Sequence, residues 1–253
     1  MFLPPLIFVY VFFNKTEYLI FLSIVFFTIG KYLFNGWADG LVAVYFCLSA
    51  FLFYILIITD NNLYKKNLTF YLIAFCFFVT LTLSKNEGTV LLPILFLTAT
   101  FVLLLKSKIK QNIFKIVFLS IAFIPVFLWK YFCYTNEISN NLINDDTILN
   151  LTLRLTNFES YKMISYFIFL NEKFLVSIFL FLTSFYIVRN KELFTFISIS
   201  TLIYIFVLFF MYLSTPFDLY FQLNSTVARV IKTLNFTLCF FALYNLSIAN
   251  KFK

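Results

Sequence analysis

Long apolar runs alternate with short polar clusters along the whole chain, and the clusters themselves alternate in chemistry. Every second cluster is rich in lysine, and the clusters between hold most of the acids. A helix that crosses a bilayer takes about 20 mostly apolar residues. Runs of that kind lie at about 18–34, 41–58, 68–83, 89–105, 112–131, 172–188, 193–213 and 230–248. A ninth, at 1–13, is too short to span unaided. It has no basic leader and no small-residue cleavage site, so it reads as the trailing half of a longer span and not as a signal peptide. The expected fold class is all-α: a polytopic helical membrane protein of about eight or nine transmembrane helices, with 1–253 forming a single integral membrane domain. The one long gap, about 135–171, carries amphipathic stretches around 147–158. It predicts an outer surface loop with a helix lying in the membrane interface.

Composition supports a membrane protein. The chain is 62% hydrophobic with 40 Phe and only 12% charged residues, more apolar surface than a soluble domain can bury. Charge then sets an orientation, because Lys and Arg in short loops stay on the cytoplasmic side during insertion. One set of gaps holds Lys15, Lys65, Lys66, Lys106, Lys108, Lys110, Lys115, Arg189, Lys191, Lys251 and Lys253 against Glu17, Asp60 and Glu192. The other set balances eight bases with eight acids, so the formal net charge of +8 falls wholly on the first. The lysine-rich gaps are therefore expected inside, with the C-terminus cytoplasmic. This basic excess serves topology and anionic headgroups better than nucleic acid, which is not an expected partner.

Histidine is absent, which removes the commonest proton shuttle and the commonest transition-metal ligand. Cys47, Cys76, Cys133 and Cys239 stand singly in or beside apolar runs and form no metal or redox motif. Acid–base chemistry is thus left to carboxylates, Lys and Tyr. Asn-x-Ser/Thr triplets, such as the one at Asn67 on the expected inner side, follow from an Asn-rich composition and not from glycosylation.

Four clusters on the expected outer side can carry chemistry. Asn35-Gly36-Trp37-Ala38-Asp39-Gly40 turns tightly and sets Asp39 at the mouth of a helix, either as an N-cap or as a functional carboxylate. Ser84-Lys85-Asn86-Glu87-Gly88 packs a cation, an amide and an acid into a five-residue connection, either as a surface ion pair or as a functional group. Asp145-Asp146 reads as part of a solvated loop, although adjacent carboxylates also bind divalent cations. The stretch 214–229 joins the last two spans and places Arg229 at the start of the final helix, where a guanidinium meets phosphate at headgroup depth.

Three of these clusters resemble those of the multi-pass GT-C glycosyltransferases, in particular the bacterial relatives of dolichyl-phosphate-mannose protein mannosyltransferases. The residues are Gly36-Trp37-Ala38-Asp39, Lys85-Asn86-Glu87-Gly88, and Thr215-Pro216-Phe217-Asp218-Leu219 followed by Ser225 and Arg229. The resemblance implies transfer of a sugar from a polyprenyl-phosphate donor to a cell-envelope glycan, lipid or protein acceptor, on the extracytoplasmic face of a bacterial inner membrane. It implies Glu87 and Asp39 as catalytic carboxylates, and Lys85, Asn86, Asp218 and Arg229 as substrate and phosphate ligands. No cofactor is expected, and a divalent cation is left open. Such enzymes carry an acid in a first outer loop, for which this chain has no room upstream of 1–13. The expectation is a C-terminal portion of a longer enzyme. A lipid-carrier flippase or transporter, or a non-catalytic truncated membrane subunit, are the alternatives. Against a transporter, no charge lies clearly mid-span, and Pro93 and Pro125 have no matched counterparts.

Overall fold

In so apolar a chain the backbone N–H and C=O groups find partners most readily within their own segment, which favours helices. The computed structural model describes residues 3–12, 15–28, 38–59, 68–138 and 145–251, and no strand occurs among them. The helices are α1 (Leu3–Phe12), α2 (Lys15–Thr28), α3 (Asp39–Phe53), α4 (Leu68–Ser84), α5 (Asn86–Leu105), α6 (Ile109–Ser120) and α7 (Ile124–Thr135). They continue with α8 (Asp145–Leu155), α9 (Phe158–Phe169), α10 (Glu172–Val188), α11 (Lys191–Ser214), α12 (Leu219–Val230) and α13 (Lys232–Lys251). A π-helical turn, Tyr54–Ile58, prolongs α3, and a 3-10 turn, Ile121–Phe123, joins α6 to α7.

By length and composition, five helical stretches among the described residues are able to cross a membrane: Asp39–Ile58, Asn86–Leu105, Ile109–Thr135, Lys191–Ser214 and Leu219–Ser247. A sixth arises if α9 and α10, bent by 66° at their junction, count as one broken span. This is consistent with a membrane protein. The expected span 68–83 is α4, one of the shorter apolar helices, and the expected 18–34 extends past α2 beyond the described residues. The long gap holds two helices, of which the amphipathic α8 packs on α11.

The core is built on α3, 94% buried across its span, which packs on α13 and α4. Phe51 meets Phe240 edge-on at 5.5 Å, and Phe53 stacks on Phe78 at 4.8 Å. Such pairs add about 0.5–1.5 kcal/mol each beyond area burial. α10 and α13 lie side by side and run parallel: Cys239 Sγ donates to Ser177 Oγ at 3.4 Å, and Asn245 Nδ2 donates to the Ser184 carbonyl at 3.0 Å.

The ion pairs Lys106–Glu192 and Lys85–Asp39 lie at opposite ends of α5. At one end Lys106 Nζ pairs with Glu192 at 2.5 Å and donates to the Ile58 carbonyl at 3.1 Å, tying α3 and α5 to the start of α11. At the other, Lys85 pairs with Asp39 and Glu87. These pairs join residues of the same charge set, as the alternation along the chain predicts.

The second end depends on one glycine. Only Lys85 separates α4 from α5, and a Cβ on Gly88 would lie 1.9 Å from the Leu81 carbonyl oxygen. Gly88 thus lets the two helices close to backbone contact, which positions both Lys85 and Glu87. Gly88→Ala is expected to cost about 1–3 kcal/mol through forced separation of α4 and α5. The check is the thermal unfolding midpoint in detergent, and an unchanged midpoint would count against the close approach.

Candidate functional site

Asp39 opens α3, where the helix dipole favours a carboxylate. It does not act as an N-cap. That position is Ala38, and the Asp39 side chain reaches across the bundle instead. Its carboxylate is 4% exposed, and Oδ1 accepts a hydrogen bond from Lys85 Nζ at 2.6 Å. Lys85 Nζ also donates to Glu87 Oε1 at 2.8 Å. Arg229 Nη1 approaches Asp39 Oδ2 at 4.0 Å, and among the described residues that oxygen accepts no hydrogen bond. Four residues from three distant parts of the chain therefore meet in one cluster. The ion pair weighed for Lys85 and Glu87 is present, and it extends to a partner 46 residues away.

Burial disfavours the Lys85 ammonium, but hydrogen bonds to Asp39 and Glu87 and the charges of both carboxylates outweigh it. The Lys85 pKa rises above its ordinary value of 10.5. Charge-assisted bonds of this kind each contribute about 1.5–3 kcal/mol.

Asp218 and Asn86 do not join the cluster. Asp218 caps α12, its Oδ1 accepting from the Phe221 N–H at 2.8 Å. Arg229 sits in the last turn of the same helix, not at the start of the final one. Eleven residues of helix put Asp218 and Arg229 about 16 Å apart along the axis. Asn86 is exposed at the first turn of α5, and its carbonyl accepts from the Thr89 hydroxyl at 2.6 Å. Residues 35–37 lie outside the described residues, as do the side chains of Asp145 and Asp146.

The turn before α12 is held by Arg154 of α8. Its Nη1 donates to the carbonyls of Thr215 at 2.8 Å and Tyr212 at 3.3 Å, and its Nη2 donates to Phe217 at 2.8 Å. Burial lowers the Arg154 pKa, and the Asp218 charge opposes that shift. The Thr215–Asp218 stretch is thus a pinned turn that orients α12.

Three further residues lie beside the cluster, in the sequence or in space. Lys232, the first residue of α13, is 5% exposed and follows Arg229 by three positions across the turn at Ile231. Tyr204 donates from its hydroxyl to the Val230 carbonyl at 3.1 Å, and Tyr212 OH lies 2.9 Å from Thr226 Oγ1. Both tyrosines sit within electrostatic range of Glu87. The spacing of Arg229 and Lys232 was visible in the sequence. The tyrosines were not, because nothing in an apolar run separates a core tyrosine from one that faces a polar site.

Compared with known proteins, the chain matches no family model, no curated protein and no solved structure.

Proposed function

We propose that the protein is a membrane glycosyltransferase of GT-C-like layout. In this reading it moves a sugar from a polyprenyl-phosphate donor to a cell-envelope glycan, lipid or protein acceptor. The cluster then lies at the extracytoplasmic face of a bacterial inner membrane, with eight or nine spans and a cytoplasmic C-terminus. The observation that carries this reading is the state of Asp39. It is a buried carboxylate with one oxygen held by Lys85 and the other, among the described residues, free of hydrogen bonds and 4.0 Å from a guanidinium. A base beside a cation is what displacement of a lipid phosphate from a sugar requires.

The acceptor hydroxyl attacks the anomeric carbon, its proton passes to Asp39 or Glu87, and the bond from that carbon to the phosphate oxygen breaks. The polyprenyl phosphate leaves with the electron pair and is stabilised by Arg229 and by Lys85, released from its carboxylates as the anion enters. Each of these contributions is on the order of 10²-fold or more.

The test uses the full chain in proteoliposomes with a panel of polyprenyl-phosphate sugars. Glu87→Gln and Arg229→Ala are each expected to lower transfer on the order of 10²-fold at unchanged expression. Undiminished transfer in both variants would remove the basis of this reading.

A further inference from the structure

The far end of the bundle carries a second feature that sugar transfer does not use. Phe179, Leu182, Thr183 and Tyr186 follow one another at helical spacing on the outer side of α10. The opposite side, with Ser177, Phe181 and Ser184, is buried. Together with Phe185, which stacks on Phe194 of α11 at 4.1 Å, they line an open groove of about 570 Å³. That volume falls within the range of about 300–1,000 Å³ usual for small-ligand sites. Its mouth holds Arg189 and Lys191, and among the described residues no acid lines it.

The chemistry is therefore divided along the helix axis: aromatic and aliphatic side chains for most of the length, two exposed cations at one end. Arg189 closes α10 in the left-handed conformation, φ 55°, and Lys191 opens α11, where the helix dipole also favours an anion. This end is the one where Lys106 meets Glu192, about 30 Å of α5 away from Asp39. An amphiphile with an apolar tail and a phosphate head matches both parts of the groove at the depth each part would occupy.

We propose that this groove is a binding site for an anionic phospholipid, with an acyl chain along Phe179, Leu182 and Tyr186 and the headgroup phosphate between Arg189 and Lys191. The site is independent of the sugar-transfer reading and holds whether or not that reading survives.

The test is native mass spectrometry of the full chain released from micelles containing equal amounts of phosphatidylglycerol and phosphatidylcholine. Wild type is expected to retain phosphatidylglycerol preferentially. Arg189→Asn combined with Lys191→Gln should lower the retained phosphatidylglycerol on the order of 10-fold or more. Asparagine is chosen at that position because it tolerates the left-handed backbone. Lys108→Gln combined with Lys110→Gln removes the same charge elsewhere and should leave retention unchanged. Thr183→Trp fills the groove with both cations in place and should lower retention as well, which keeps the test decisive if the double variant does not fold. Equal retention of the two lipids by wild type would overturn the site. So would equal loss in the Lys108 and Lys110 control, or undiminished phosphatidylglycerol in Thr183→Trp.

Discussion

Replacing Lys85 with methionine is expected to destabilise the protein by about 3 kcal/mol, at the lower end of the range for breaking a buried ion pair by removing one partner. The physical reason lies in what remains. Asp39 would keep its buried charge without the Lys85 hydrogen bond, and among the described residues the nearest cation left to it would be Arg229 Nη1 at 4.0 Å. Lys85 itself is 31% exposed, so solvent screens part of the interaction and the upper end of the range does not apply. Combining Lys85→Met with Asp39→Asn removes the stranded charge, and the double variant is expected to recover part of the loss. Unfolding midpoints of the four proteins in detergent measure the coupling, and simple additivity would show that the pair is not a unit. The raised Lys85 pKa adds a pH signature. A group whose folded pKa lies above its unfolded value stabilises fully below the unfolded value, and the contribution is lost as pH rises through the folded one. The stability gap between wild type and Lys85→Met should therefore hold from neutral pH to about pH 10 and shrink above it.

The fold was legible where an apolar run ended at polar residues on both sides. The expected 172–188 coincides with α10, and 41–58, 89–105 and 193–213 fall within two or three residues of the helices that carry them. Burial was not legible. Asp39–Ile58 and Ile109–Thr135 are both long apolar stretches, yet 94% of one and 17% of the other is buried inside the bundle. In a bilayer both environments are apolar, so composition does not separate a helix that faces lipid from one that faces protein. The bend between α9 and α10 was equally hidden. It rests on a local break at Leu170, followed by an Asn171 cap whose side chain accepts from the Phe174 N–H.

The candidate site was legible as three polar clusters that the alternation of charge assigns to one side. That side selection limits which residues can meet, and Asp39, Lys85, Glu87 and Arg229 do meet. The resemblance groups Asp218 with them, and the hydroxyl and amide side chains of 214–229 make that stretch read as a connection between spans. Its apolar positions Leu219, Leu223, Val227 and Val230 instead form the buried face of α12. That helix holds Asp218 and Arg229 at opposite ends. A loop of equal length would have allowed them to touch; a helix forbids it.

Asp39→Asn is expected to have the largest effect on activity. If the carboxylate takes the proton of the acceptor hydroxyl, the amide cannot, and turnover should fall about 10²–10⁴-fold, the usual contribution of a positioned general base. Shape and volume are conserved, and the oxygen of the introduced amide would still accept from Lys85, so the unfolding midpoint should move much less than in Lys85→Met. Donor binding should also hold, because Arg229 would no longer share its charge with a carboxylate at 4.0 Å. The expected signature is a loss in kcat with KM for the polyprenyl-phosphate donor unchanged or lower, measured in proteoliposomes of the full chain. Glu87→Gln tests the competing assignment. The Glu87 side chain is 23% exposed against 4% for Asp39, and water already reaches it. Electrostatic interactions strengthen where water is excluded, which favours Asp39 as the base. Turnover that survives Asp39→Asn but collapses in Glu87→Gln would transfer the role of base to Glu87 and leave Asp39 as the buried anchor of Lys85.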